Sequence, residues 1–93
     1  MEFEWNETKA KANLAKHGVS FELAKLIWDD PLHVVIPDRI EGGEQRWHAI
    51  GLAGPVVVLV AVHSYPTDDV RVRIIGARKA TRHERHRYEQ ENT

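Results

Sequence analysis

The sequence predicts an α+β domain: two N-terminal helices, a four-stranded antiparallel sheet and a C-terminal helix. Three observations point there. Up to Pro31 the chain shows helix caps and apolar residues at helical spacing. Beyond Pro31 the apolar pattern turns strand-like, either alternating or continuous. Near the end, Thr81-Arg82-His83-Glu84 forms a capping-box pattern that reopens helix.

The elements follow in order. Asn6 can cap a first helix, with Glu7 in its first turn and Gly18 placed to end it. Ala10, Leu14 and His17 fall on one face of that helix. Lys16 and His17 occupy its last turn, where the helix dipole favours cations. Ser20 can cap a second helix with a stripe of Phe21, Ala24, Ile27 and Trp28, stopped by Pro31. His33 to Pro37 is a short β-branched run, and Gly42-Gly43 marks a loop before a second strand, Gln45 to Leu52. Ala53-Gly54-Pro55 makes a tight connection. Val56 to Val62 is continuously apolar, as in a strand covered on both faces. Ser64 to Asp69 reads as a turn. Val70 to Ile74 then alternates, with Arg71 and Arg73 opposite Val70, Val72 and Ile74. The last helix runs from Thr81 to about Gln90. Short links favour an antiparallel meander with helices packed on it.

At 93 residues the chain reads as one domain, 1–93, with a modest core. The absence of cysteine excludes disulfides, thiolate zinc sites and thiol catalysis, and suits a reducing cytoplasm. No apolar run follows Met1, and Val56 to Val62 is too short to cross a bilayer, so neither export nor a membrane role is expected.

Net charge is −1, but it is unevenly spread. Between Arg71 and Arg87 stand seven basic residues and one acid, Glu84. A polyanion would be drawn to that segment and repelled elsewhere. Near-neutrality of the whole argues against tight nonspecific binding to duplex nucleic acid.

The residue types suit phosphate chemistry. Arg71 and Arg73 share a strand face, as do Arg46 and His48. Arg78 and Lys79 fall between the last strand and the last helix, and Glu84, Arg85 and Tyr88 lie within one helical turn. Metal-free RNA cleavage needs a base for the 2′-hydroxyl, cations for the phosphorane and an acid for the departing oxygen. Glutamate and histidine suit proton transfer, and arginine suits phosphate clamping. Each residue also has a plainer explanation. Arg71 and Arg73 can be a solvent face, Glu84 a capping residue, His17 a helix-end cation and His63 a satisfied strand-end residue. His83 and His86 are too few to make a metal site. Trp5, Trp28 and Trp47 read as core.

Several segments together resemble the BrnT toxin family. They are Phe3-Glu4-Trp5-Asn6, Lys9, Asn13, Lys16-His17-Gly18-Val19-Ser20-Phe21-Glu22, Asp29-Asp30-Pro31, and Arg73 through Thr81 with Glu84-Arg85 and Tyr88-Glu89. The resemblance spans nearly the whole chain. It implies a fold like the RelE ribonucleases and an RNA-cleaving toxin of a bacterial type II toxin–antitoxin pair, inhibiting translation. It also implies a BrnA-like ribbon-helix-helix antitoxin that neutralises the toxin, forms a 2:2 complex with it and supplies operator DNA binding. Two positions depart from the family pattern: Gly76 stands where serine is common, and His63 where a basic residue is common.

The expected function is therefore metal-independent ribonuclease activity without a cofactor. Arg78 and Arg73 would clamp the phosphorane, and Glu84 or His63 would transfer protons. Lys16, His17, Arg71, Arg82 and Arg85 would contact substrate phosphates. The alternative is a non-catalytic RNA-binding or protein-interaction module on the same scaffold.

Overall fold

The computed structural model describes residues 1–54, 57–67 and 70–91. Expectations that fall on Pro55, Val56, Asp68 and Asp69 lie outside the described residues. The chain runs β1 (Glu2–Glu4), α1 (Glu7–His17), α2 (Phe21–Ala24) with a 3₁₀ extension (Lys25–Asp29), β2 (Val34–Glu41), β3 (Glu44–Ala53), β4 (Val57–Ser64), β5 (Arg71–Lys79) and α3 (Arg82–Glu91).

The sheet has five strands in the order β1-β5-β4-β3-β2. From β2 to β5 it is the antiparallel meander the short links predict. The addition is β1, which pairs parallel to β5 and makes the sheet mixed. Three residues carry too little pattern to read as a strand. The expected RelE-like layout of two helices, four antiparallel strands and a helix is corrected accordingly. A strand precedes the helices, and the second helix is one α-turn that tightens into 3₁₀.

Helix ends obey local chemistry. The Asn6 side chain accepts from the Lys9 N–H at 3.0 Å, and Gly18 closes α1 in the left-handed region at φ 70°. Ser20 accepts from the Leu23 N–H at 3.0 Å. The expected apolar stripe of α1 does not bury. Leu14 is 48% exposed, His17 is exposed, and only Ala10 packs toward the core. A polar anchor holds the helix instead. The Asn13 amide donates to the Ala77 carbonyl at 2.8 Å and accepts from the Ala77 N–H at 3.2 Å. Beyond the short β1, β5 would otherwise expose this edge, so Asn13 stands in for a neighbouring strand.

The main core lies on one face of the sheet. Val19, Phe21, Ala24 and Ile27 pack on Ala49, Leu59, Ala61, Val72, Ile74 and Ala77. Trp5 meets Phe21 edge-on at 6.0 Å and Trp28 meets Phe3 at 5.2 Å, consistent with their reading as core. Gly51 is needed where the 3₁₀ segment crosses the sheet. A Cβ there would lie 2.9 Å from the His33 Cβ and 3.1 Å from Ile27. The opposite face carries a smaller cluster of Ile50, Val60 and Tyr88, through which α3 is seated. No helix among the described residues is long and apolar enough to cross a membrane.

Candidate functional site on the α3 face of the sheet

Residues opposite one another in register share a sheet face. Arg78, Val60, Ile50 and Val34 form one row across β5, β4, β3 and β2. Gly76, Val62, His48 and Ile36 form the next. Arg73 pairs with Ser64 in the third, and Arg46 precedes His48 by two on β3, on the same face. Tyr88 packs α3 onto Ile50 and Val60 of the first row. Beyond that footprint Val62, His48 and Ile36 are only partly buried.

The arginines reach this face through a β-bulge. Arg73 and Arg78 are five apart, which in a regular strand sends them to opposite faces. On β4 their partners Ser64 and Val60 are four apart, because Ile75 is an extra residue. The bulge therefore turns both guanidinium groups to one side. It also moves Arg78 and Lys79 into β5, since they pair with Val60 and Leu59, rather than into the expected connection to α3.

Arg78 is held by a two-pronged ion pair. Its terminal nitrogens donate to Glu84 Oε1 at 2.7 Å and Oε2 at 2.9 Å. Glu84 also completes the predicted capping box: it accepts from the Thr81 N–H at 2.9 Å, and Thr81 Oγ1 accepts from the Glu84 N–H at 3.2 Å. The Arg78 hydrogen bonds pull the Glu84 carboxyl down to about 2 against the opposing effect of burial. The same pairing raises Arg78, and the more distant Asp38 adds to it. A carboxylate this acidic is a poor proton acceptor at neutral pH. The Glu84 carboxylate is thus committed to Arg78 and the Thr81 N–H.

Three further charged features surround the pair. Arg73 Nε donates to Glu4 Oε2 of β1 at 3.0 Å. Asp38 sits in a second bulge, between Pro37 and Ile40, and its Oδ2 lies 3.3 Å from His48 Nε2. Arg46 approaches Glu44 only loosely, at 3.9 Å, and its buried Nε has no hydrogen-bond partner among the described residues.

The other expected residues divide. His63 is fully buried on the opposite face, 4.9 Å from the Trp28 ring. Its Nδ1–H donates to the Ala61 carbonyl at 3.1 Å, and Nε2 is 3.3 Å from the Tyr65 hydroxyl. Burial lowers its pKa to about 4 and keeps it neutral. His63 is thus placed in the core, near its plainer explanation, and away from the face that carries Arg78. Arg71 is drawn to Glu2 at 3.9 Å and Glu4 at 3.5 Å. Arg82 and Arg85 line an open shelf on the outer side of α3 with His83, His86 and Glu89. Lys16 and His17 are exposed on the last turn of α1, one turn past Asn13. The basic segment is therefore interleaved with acids from elsewhere and does not form one bare patch. The Asp38–His48 contact depends on the β2–β3 register, which pairs Ile36 with His48 and which sequence alone does not fix. Among the described residues no three metal-ligating side chains cluster.

A family model described as the ribonuclease toxin BrnT of type II toxin–antitoxin systems matches residues 5–84. The chain belongs to the BrnT family. The BrnT match includes Asn13, Arg73, Arg78 and Glu84 and ends before Arg85 and Tyr88. The crystal structure of the Brucella abortus ribonuclease toxin BrnT superposes with a TM-score of 0.69, over 88% of this chain and 99% of that one, at 24% identity. That likeness supports the α+β fold. No curated protein matches the chain.

Proposed function

We propose that this BrnT-family protein is a metal-independent endoribonuclease whose site is the open part of the sheet face beside α3. The observation that carries the reading is the Arg78–Glu84 fork. It fixes a permanently charged guanidinium, 30% exposed, at the border of α3. Arg73 and Arg46 share the face and add positive charge around a floor of Val62 and Gly76. Such pre-placed cations stabilise a phosphorane without reorganisation during reaction. Lys16 and His17 beyond the β5 edge, Arg71 near β1, and Arg82 and Arg85 on α3 would guide the flanking RNA backbone. Cleavage of cellular RNA would inhibit translation in the cytoplasm. An antitoxin of the BrnA-like, ribbon-helix-helix kind would cover the site and alone contact operator DNA.

The test is cleavage of purified ribosomal RNA in the presence of EDTA. Activity should persist, and Arg78→Ala should lower it about a hundredfold or more, the usual cost of one pre-placed charge stabiliser. Because Arg78→Ala strands a carboxylate, Arg78→Ala/Glu84→Ala serves as the folding control and should be equally inactive. A folded double variant that cleaves at the original rate would remove Arg78 from the mechanism. Tight RNA binding without cleavage by the unmodified protein would favour the non-catalytic alternative.

A further inference from the structure

Proton transfer is unassigned once His63 lies in the core and Glu84 is committed to Arg78. We infer that His48 is the general base of the site, oriented by Asp38. The inference rests on the ribonuclease reading above.

The geometry supports it in four ways. His48 lies on the same sheet face as Arg78, two strands across and two residues along, roughly 10 Å and 7 Å at the usual sheet spacings. Between them the register places Val62 and Gly76, both only partly buried, and Gly76 contributes no side chain. The imidazole is partly exposed, at 19%, and reaches a substrate that buried His63 cannot. Finally, Asp38 Oδ2 lies 3.3 Å from Nε2, close enough to stabilise the ring electrostatically once it carries a proton. Asp38 lies two residues beyond Ile36, the register partner of His48, and so shares its face.

The step balances without a metal. His48 Nδ1 takes the proton of a ribose 2′-hydroxyl. The 2′-oxygen forms a bond to the adjacent phosphorus, and the bond from phosphorus to the 5′-oxygen breaks. Water supplies the proton to that leaving oxygen, and the hydroxide so formed takes the proton back from the His48 imidazolium, which regenerates the base. The products are a 2′,3′-cyclic phosphate and a 5′-hydroxyl. The imidazolium formed is stabilised by Asp38. The charged or titratable groups around His48 are Asp38 from β2, Arg46 on its own strand, Arg73 and Arg78 from β5, Glu84 from α3, and His63 behind the sheet.

The experiment measures kcat/KM on purified ribosomal RNA against pH, with RNA affinity measured in parallel. The unmodified protein should show a rising limb from a single ionisation and leave 2′,3′-cyclic phosphate ends. His48→Asn should bind RNA normally, lose about a hundredfold or more in rate and lose the limb. Asp38→Asn should bind RNA normally yet lower the rate, since the imidazolium formed in the step loses its carboxylate. If the unmodified protein cleaves and folded His48→Asn keeps both rate and limb, the assignment of His48 falls while the ribonuclease reading stands. If the unmodified protein leaves RNA intact, both fall.

Discussion

Glu84 is held from two sides, by the Arg78 guanidinium and by the Thr81 N–H, and the pairing with Arg78 requires the ionised carboxylate. Its pKa of about 2 in the fold lies below the ordinary 4.5. A depressed carboxyl stabilises the fold fully above the ordinary value and loses that contribution as pH falls toward the folded value. Acid should therefore unfold the protein partly through this residue, between about pH 4.5 and 2. Glu84→Gln keeps the capping bond but loses the ion pair. At pH 7 it should cost on the order of 1–3 kcal/mol, allowing for partial exposure. Thermal melts of the two proteins should converge as pH approaches 2. A gap that stays constant over that range would show that the pair contributes no pH-dependent stability. In RNA assays the same variant should lower turnover more than binding, because in the proposed mechanism Glu84 holds Arg78 in place for the phosphorane.

At the scale of elements, α3 is seated on the sheet by one buried aromatic. Tyr88 fills the space over Ile50 and Val60, and its hydroxyl donates to Asp30 Oδ2 at 2.6 Å. Asp30 also accepts from the backbone N–H groups of Leu52 and Leu32, both at 2.9 Å. Burial disfavours its charge, yet these hydrogen bonds win and hold its pKa below normal, while burial and Asp30 together push Tyr88 up to about 12. The contact links the end of the 3₁₀ segment to the helix that carries Glu84. Tyr88→Phe preserves shape and deletes only the hydroxyl. It should destabilise by about 1.5–3 kcal/mol, as expected for a bond to a charged acceptor. It should also speed amide exchange in α3 more than in the central strands. Unchanged stability would mean that packing on Ile50 and Val60 alone seats the helix.

For the whole molecule, charge is arranged locally rather than as one pole. Glu2 and Glu4 draw in Arg71 and Arg73, Glu84 holds Arg78, and Glu91 lies 3.6 Å from Arg87. The proposed site remains open beside α3, so neutralisation requires a partner that covers it. An antitoxin with slow release should bury about 1,600 Å² or more in total. A dimeric ribbon-helix-helix partner would give a 2:2 assembly. Light scattering of the co-purified complex should return that mass, and a stable 1:1 species at micromolar concentration would refute it. Covering the site should also abolish RNA cleavage at the same stoichiometry.

Local chemistry made much of the chain legible in advance. Asn6, Gly18, Ser20 and the Thr81–Glu84 box act within a few residues, so their patterns predict α1, the start of α2 and the start of α3. The meander from β2 to β5 follows from apolar period and short links, and the family was recognisable from the motifs at both ends. Other features depended on contacts distant in sequence. The parallel β1 exists because β5 offers an edge, and Asn13 caps that edge 64 residues away. One bulge decides that Arg73 and Arg78 share a face, because a single extra residue reverses every side chain beyond it. His63 and His48 are both plausible bases in sequence. Only the packing of Trp28 over one and the approach of Asp38 to the other separates a core residue from a reactive one.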